Sequence, residues 1–281
     1  MDKVIGLGSA GVNILAQLMN YPQYTGYFID TDVTGLKKNG FYRLDEQNSP
    51  EDYEANCPSF KSFLRSAGPE VSVILPSSGR ISGVSLALLE QIKDRMINVI
   101  LVRGNERQIG AHTSAIDRAT TGVLQEYARS GLFNEICIIN NKQVEEVLGE
   151  VPMIGYHDAI NSMVSNTIHM MNVFDHQKPV ISDIAPIPDI YKISTLGFWE
   201  FDEKNEEKLF FPLDTPRMMR YYIAINQQQL ETDGTLNKKI NDFLEKTKER
   251  EIDISYGVYS TKYDKNFVYC KAYTNIIQEI K

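Results

Sequence analysis

The chain has few cysteines, no long apolar run and no excess of basic residues. Its three cysteines, Cys57, Cys137 and Cys270, lie far apart without a C-x-x-C pair, which argues against a disulfide framework or a structural zinc site. No apolar run reaches the roughly 18 residues of a membrane-spanning helix, and the first residues already have a strand pattern, so no signal peptide is expected. The net charge of −8 argues against a nucleic-acid surface, which needs clustered Lys and Arg. We therefore expect a cytoplasmic protein that binds neither membranes nor nucleic acid directly.

A glycine-rich stretch, VIGLGSAGVN, opens the chain and predicts a strand, a turn and a helix. Gly6, Gly8 and Gly11 have the G-x-G-x-x-G spacing, in which one glycine makes a tight turn, one admits a phosphate and one lets strand and helix pack closely. The turn leads into a helix N-terminus, where unpaired N–H groups favour an anion. We predict an anion site here, which also includes Ser9 and Ala10; a turn of this kind that binds nothing is the open alternative.

Short apolar runs alternate with helical patterns through the first half of the chain. This alternation predicts an α/β fold with a Rossmann-like, doubly wound parallel sheet. We expect a nucleotide-binding domain over residues 1–154 and a long connecting helix over 155–178. Mixed helical and alternating β patterns then predict a smaller α+β domain over 179–281.

Asp30 lies at the end of the second predicted strand, about 20 residues past the glycines. In dinucleotide-binding domains an acidic residue at this distance contacts the ribose hydroxyl groups. The glycine pattern and Asp30 therefore fit an NAD(P)-dependent oxidoreductase as well as they fit another class of nucleotide-binding protein. The sequence has no evident catalytic His, Tyr-Lys pair or Cys for hydride chemistry, and this absence weakens the case for an oxidoreductase.

Five segments, taken in order, resemble the tubulin/FtsZ superfamily: VIGLGSAGVN, FIDTDVTGLKK, SSGRISGVSLALLEQI, INNK and DAINSMVSNTI. The closing segments are similar to that family's activation domain. The resemblance implies a tubulin/FtsZ-like fold, a bound GTP or GDP, and head-to-tail assembly with further copies of the chain.

The resemblance also implies which residues contact the nucleotide. Asn161 is expected at the guanine edge, Asn140 at the ribose and base, and His157 or Tyr156 stacked on the base. The full implied set follows the five segments: Gly6, Gly8, Ser9, Ala10, Gly11, Asn13, Asp30, Gly79, Arg80, Ser82, Gly83, Asn140, His157 and Asn161.

The loop GRISGVS departs from the glycine-rich GGGTGTG loop of the family. Ile81 is β-branched and crowds a phosphate, while Arg80 is either a charge-assisted phosphate ligand or an ordinary surface residue. The family's E-G-x-x-R segment is missing as well, because AHTSA stands there, unless Glu106 or Arg107 supplies the contact.

The segment ISDIAPIPD corresponds to the loop N-x-D-x-x-D, which in this family completes the hydrolytic site of the next subunit. Asp183 matches the first acid, but Ile181 and Pro186 stand at the Asn and second acid positions. Asp189 substitutes for the missing acid only if the loop is longer. With Asp183 and Asp189 as the candidate catalytic residues, we expect GTP hydrolysis to be weak or absent.

Three function classes follow. The first is a tubulin/FtsZ-like protein that forms filaments or higher assemblies with itself. The second is a nucleotide-independent pseudo-GTPase that acts as a structural protein or docks on other proteins, and the third is the oxidoreductase. The chain ends at its last β segment, which resembles the short tubulin-like proteins of phages and plasmids and implies a host cytoplasm if a phage encodes it.

Overall fold

The computed structural model describes residues 2–32, 40–105, 110–202, 206–248 and 251–280. Within them, the first part of the chain contains these elements: β1 (Asp2–Leu7), α1 (Gly8–Leu18), β2 (Tyr24–Asp30), β3 (Phe41–Arg43), α2 (Pro50–Ala55), β4 (Glu70–Pro76), α3 (Val84–Gln91), β5 (Met96–Arg103), α4 (Ala111–Arg129), β6 (Glu135–Asn140), α5 (Asn141–Leu148) and α6 (Tyr156–Asp175). Short 3-10 helices cover Arg65–Ala67 and Arg80–Gly83.

The second part contains β7 (Ile193–Glu200), β8 (Met218–Asn226), α7 (Gln227–Thr232), α8 (Leu236–Lys248), β9 (Asp253–Thr261) and β10 (Phe267–Thr274). Among the described helices, none combines the length and hydropathy needed to cross a bilayer.

All ten described strands form one sheet, in the order β3-β2-β1-β4-β5-β6-β7-β10-β8-β9. The strands from β3 to β7 are parallel, while β10 runs antiparallel to both of its neighbours. This arrangement confirms the predicted doubly wound sheet, the long helix and the smaller α+β part. The domain boundaries 1–154, 155–178 and 179–281 stay a proposal.

The central parallel strands are buried on both faces, which explains their nearly continuous apolar sequences. Along β1, for example, Val4 contributes to the core on one face of the sheet and Ile5 to the core on the other. Helix α6 packs against α1 on one face. Its last turn reaches the start of β1, where the Asn172 amide donates to the Asp2 carboxylate at 2.5 Å.

The parallel strands define two edges of the sheet. We call the edge where β1, β2, β4, β5 and β6 end the carboxyl edge, and the edge where they begin the amino edge. Helix α6 starts beside the carboxyl edge and ends beside the amino edge, so the segment from 176 to 192 lies along the amino edge before β7 begins.

Helix α1 approaches the sheet closely because two glycines face each other. A Cβ on Gly6 would lie 2.6 Å from the Gly11 carbonyl oxygen, and a Cβ on Gly11 would lie 2.6 Å from the Ile74 carbonyl oxygen on β4. These neighbours are backbone atoms that cannot turn aside. Gly6 and Gly11 are therefore needed for packing, whatever the turn between them binds.

We predict that Gly11→Ala lowers the free energy of unfolding by about 1–3 kcal/mol, the usual cost of overpacking. Chemical denaturation measures the change. Gly122→Ala is the matched control: Gly122 lies inside α4, and a Cβ there would meet nothing within 4 Å. That substitution should raise the unfolding free energy by about 0.5–1 kcal/mol, because alanine favours the helix. Equal effects of the two substitutions would contradict the close contact at Gly11.

Candidate functional site

The glycine turn, Asp30 and the loop before α3 meet at the carboxyl edge. Gly8 begins α1 with a φ of 66°, a left-handed conformation that favours glycine. Ser9, exposed in the first turn, hydrogen-bonds the carboxyl group of Asp30 at the end of β2. Ala10 follows half-buried. The predicted anion loop therefore has its expected place at the N-terminus of α1, with an acidic side chain beside it.

Asp30 is a buried carboxyl group, only 6% exposed. Its Oδ1 accepts a hydrogen bond from the Thr31 backbone N–H at 2.8 Å. Burial raises the pKa of Asp30, although the hydrogen bonds from Thr31 and Ser9 act in the opposite direction. Hydrogen bonds from Thr31 and Ser9 thus hold the Asp30 carboxyl group beside the first turn of α1.

The loop that resembles the family's signature loop folds as a 3-10 helix, Arg80–Gly83, which continues into α3. The side chain of Ile81 covers the glycine turn, since a Cβ on Gly8 would lie 2.6 Å from Ile81 Cγ2. The Ser82 hydroxyl is buried and donates to the Gly79 carbonyl oxygen at 2.7 Å. Arg80 is exposed, and its Nη1 donates to the Gln47 carbonyl oxygen at 3.4 Å.

The two glycines of this loop serve its conformation and packing. Gly79 has a φ of 95°, which favours glycine. A Cβ on Gly83 would lie 1.9 Å from the Pro50 carbonyl oxygen at the start of α2. Gly83 is therefore required by the approach of α2, and a contact of either glycine with a phosphate stays a prediction.

The asparagines predicted to read the nucleotide differ in their contacts. Asn140 is the N-cap of α5, and its Oδ1 accepts from the Lys142 backbone N–H at 2.9 Å. Asn161 on α6 is only 6% exposed as a residue, but its side-chain amide atoms are not among the fully buried polar atoms that lack a hydrogen-bond partner within the described residues. Asn161 lies in the second turn of α6, near the carboxyl edge, and its contact with a ligand stays a prediction.

Asn13 and Asn161 lie at the same level of the neighbouring helices α1 and α6. The Ser165 hydroxyl of α6 donates to the Gln17 side chain of α1 at 2.7 Å. Both helices run from the carboxyl edge to the amino edge, and each asparagine stands one turn nearer the carboxyl edge than its bonded neighbour. Asn13 is exposed there, whereas Asn161 is buried.

A second polar group at this edge was not expected from the sequence. The Glu145 carboxylate of α5 accepts from the Tyr156 hydroxyl at 2.7 Å and from the Asn105 amide at 3.0 Å. The His157 ring is exposed and meets the Tyr156 ring edge to face at 5.2 Å. Tyr156 is thus held by Glu145, which leaves the exposed His157 as the freer candidate for stacking on a base.

A buried ion pair follows β5 at the same edge and was also missed. Arg103 donates from Nε and Nη2 to the Asp117 carboxylate of α4, at 2.5–3.2 Å. Both side chains are buried. The only signal in the sequence is an arginine at the end of an apolar strand. Glu106 and Arg107, proposed above as substitutes for the family's ribose contact, lie outside the described residues.

The two candidate catalytic acids lie along the amino edge. Val180 and Ile181 pair with Val258 of β9, at 2.7 and 3.1 Å. Asp183 follows this pairing, exposed and close to Tyr259, whose pKa burial raises to about 12 with smaller contributions from Asp175 and Asp183. Asp189 is exposed too and lines a cavity of about 660 Å³ beneath the starts of β4, β5 and β6.

The acids and the glycine turn therefore lie at opposite edges of the same chain. Such a division can form one site only between two copies stacked edge to edge. Ile181 and Pro186, which replace the Asn and the second acid, both lie in the amino-edge segment, and both are exposed.

The chain has the tubulin/FtsZ fold, as its similarity to solved structures of that fold shows. Similar solved structures include the FtsZ dimer of M. jannaschii, described as empty, with a TM-score of 0.71 and 15% identity over 97% of this chain and 87% of that one. TubZ of Bacillus thuringiensis serovar israelensis, in a GTPγS-form protofilament, has a TM-score of 0.75 and 13% identity over 99% and 87% of the two chains. CetZ2 of Haloferax volcanii, in a GTPγS-bound protofilament, has a TM-score of 0.70 and 13% identity over 97% and 92%.

The similarity to these proteins is one of fold. No protein-family model matches the sequence, and no curated protein matches it either. At these low identities, what the neighbours bind or assemble into is a starting point for a proposal about this chain.

Proposed function

We propose that this chain assembles head to tail with copies of itself, its carboxyl edge against the amino edge of the next copy. The observation that carries the proposal is an exposed apolar surface at each edge. Met153 and Ile154 are both 96% exposed, in the loop between α5 and α6. This loop lies beside the carboxyl edge because Tyr156, just after it, shares Glu145 with Asn105, which follows β5.

The amino edge offers the complementary surface. Val180, Ile181 and Ile190 are 61%, 44% and 61% exposed in the segment between α6 and β7. Single exposed apolar residues are common, but an adjacent pair that is almost fully exposed favours a contact with another protein surface. Two different surfaces at opposite edges make a heterologous contact, which extends into a filament when it does not close into a ring.

The neighbours support the same reading. These neighbours include an FtsZ dimer, a TubZ protofilament and a two-stranded TubZ filament. Their fold favours a filament former over the NAD(P)-dependent oxidoreductase that the glycine pattern and Asp30 leave open.

We predict that the double substitution Met153→Asp and Ile154→Asp abolishes assembly in sedimentation experiments. Each buried side chain of this size contributes about 1.5–3 kcal/mol, so losing both weakens the contact on the order of a hundredfold or more. The pair Ile181→Asp and Ile190→Asp should have the same effect from the other edge. Mixed together, the two variants still share one intact contact and should form a dimer that grows no further.

Val123→Asp is the control, because Val123 is a partly exposed apolar residue on the outer side of α4. It should assemble like the unmodified chain. Normal assembly of either edge variant, or an unmodified chain that stays monomeric at high concentration, would overturn the proposal.

We further propose that the carboxyl edge binds a guanine base, GTP or GDP being the natural candidates, with Asn161 as its main polar contact. The place of Asn161 in the second turn of α6, beside the carboxyl edge, supports this assignment, since an amide both donates to and accepts from a purine edge. TubZ and CetZ structures among the neighbours are described with GTPγS or GDP.

We predict that Asn161→Ala weakens binding of guanosine by about 1–3 kcal/mol, or roughly 5- to 150-fold, as measured by calorimetry. Asn166→Ala is the matched control, because Asn166 is exposed on the same helix. Equal affinities of the two variants would make Asn161 a structural residue of α6.

We propose that this chain hydrolyses GTP weakly or not at all. The segment ISDIAPIPD brings Asp183 and Asp189 to the amino edge, without the Asn and second acid at the family's spacing. A water-orienting group is worth orders of magnitude in phosphoryl transfer, whereas one lost contact in a large interface often costs little. Assembly by this chain therefore does not depend on turnover, and a nucleotide-independent structural role remains the alternative.

A further inference from the structure

We infer that Ile81 and Asp30 close the phosphate position at the carboxyl edge, so that the phosphates of a nucleotide add no affinity. This inference rests on the proposal that the carboxyl edge is the ligand site, and it is independent of head-to-tail assembly.

Two helical N-termini meet at this position. Helix α1 begins at Gly8, and the 3-10 helix Arg80–Gly83 continues into α3. The contact between Gly8 and Ile81 shows that the two starts adjoin. Free N–H groups at such starts attract anions, and a pair of them would be a strong phosphate site if a phosphate could reach it.

An apolar side chain lies where the two starts meet. The Cβ position of Gly8 is 2.6 Å from Ile81 Cγ2, and Pro76 Cγ is 3.5 Å from the same point. Ile81 has little freedom to turn aside, because a β-branched side chain in a helical turn strongly prefers one rotamer. A phosphate approaching Gly8 would have to displace a methyl group and leave that apolar surface beside a charged oxygen.

The carboxyl group of Asp30 already forms a hydrogen bond with a residue in the first turn of α1. Ser9 hydrogen-bonds Asp30, and the Thr31 N–H holds the same carboxyl group at 2.8 Å. An ionised Asp30 repels a phosphate, since like charges interact strongly in a partly buried site. The cation of the neighbouring loop, Arg80, is exposed, donates to Gln47 and forms no ion pair with any described residue.

The test measures guanosine and GTP binding by calorimetry, for the unmodified chain and for the double variant Asp30→Asn with Ile81→Gly. The unmodified chain should bind GTP no more than threefold tighter than guanosine, or bind neither. The double variant should bind GTP at least tenfold tighter than the unmodified chain, with guanosine binding unchanged within threefold.

Asp242→Asn is the charge control, because it removes one exposed carboxylate on α8, in the second part of the chain, and should not improve GTP binding. Circular dichroism and thermal unfolding establish that each variant is folded. Ile81→Ala, which keeps the Cβ, replaces Ile81→Gly in the double variant if the glycine form does not fold.

Two results would overturn the inference: an unmodified chain that binds GTP tenfold or more tighter than guanosine, or a folded double variant without gain in GTP affinity. Failure of guanosine to bind either chain would count against the guanine proposal alone, since the GTP comparison still decides the role of Ile81 and Asp30. Sedimentation separately decides the assembly proposal.

Discussion

The junction between β6 and β7 is the constraint on which the whole arrangement depends. These strands align at only two residue pairs, so side chains must hold the two parts of the sheet together. Glu135 accepts from Lys271 Nζ on β10, at 2.7 and 2.8 Å, and from the Ser194 hydroxyl on β7. Burial lowers the pKa of Lys271, but the Glu135 carboxylate outweighs it and the pKa stands well above its ordinary value. Such a pair is tolerated because its hydrogen bonds are satisfied.

A second connection joins the same two parts from the far side. The buried Gln125 side chain of α4 exchanges hydrogen bonds with the Gln278 backbone, at 2.7 and 3.1 Å, and the Gln278 side chain accepts from the Asp214 N–H at 2.6 Å. The C-terminal segment thus ties α4 to the chain just before β8. A regular filament needs its contact surfaces in one fixed relation, and these two connections fix the first part of the sheet relative to the second, on which Val180 and Ile181 pair with Val258.

The sequence predicts local features well and their partners poorly. The glycine spacing predicts the strand, turn and helix correctly, because that pattern is local. It cannot tell packing from binding, since Gly11 faces Ile74 and Gly83 faces Pro50, contacts made only when distant segments fold together. The sequence does not predict the contact of Glu145 with Tyr156 or the exposure of Met153 and Ile154, because both depend on how separate segments fold together. Asn140, predicted above only as a nucleotide contact, caps α5, a role that an asparagine between a strand and a helix commonly has.

The proposals at the two edges together constrain how assembly can be controlled. A ligand shifts an equilibrium only by the difference between its affinities for the two states. If Ile81 and Asp30 prevent the phosphates from contributing to the binding free energy, GTP and GDP bind with the same affinity. Exchange of GDP for GTP then cannot shift the chain between its assembled and free forms. The apolar contact of Met153 and Ile154 with the amino edge then sets the balance alone. Assembly would follow the concentration of the chain, and disassembly would require something other than hydrolysis.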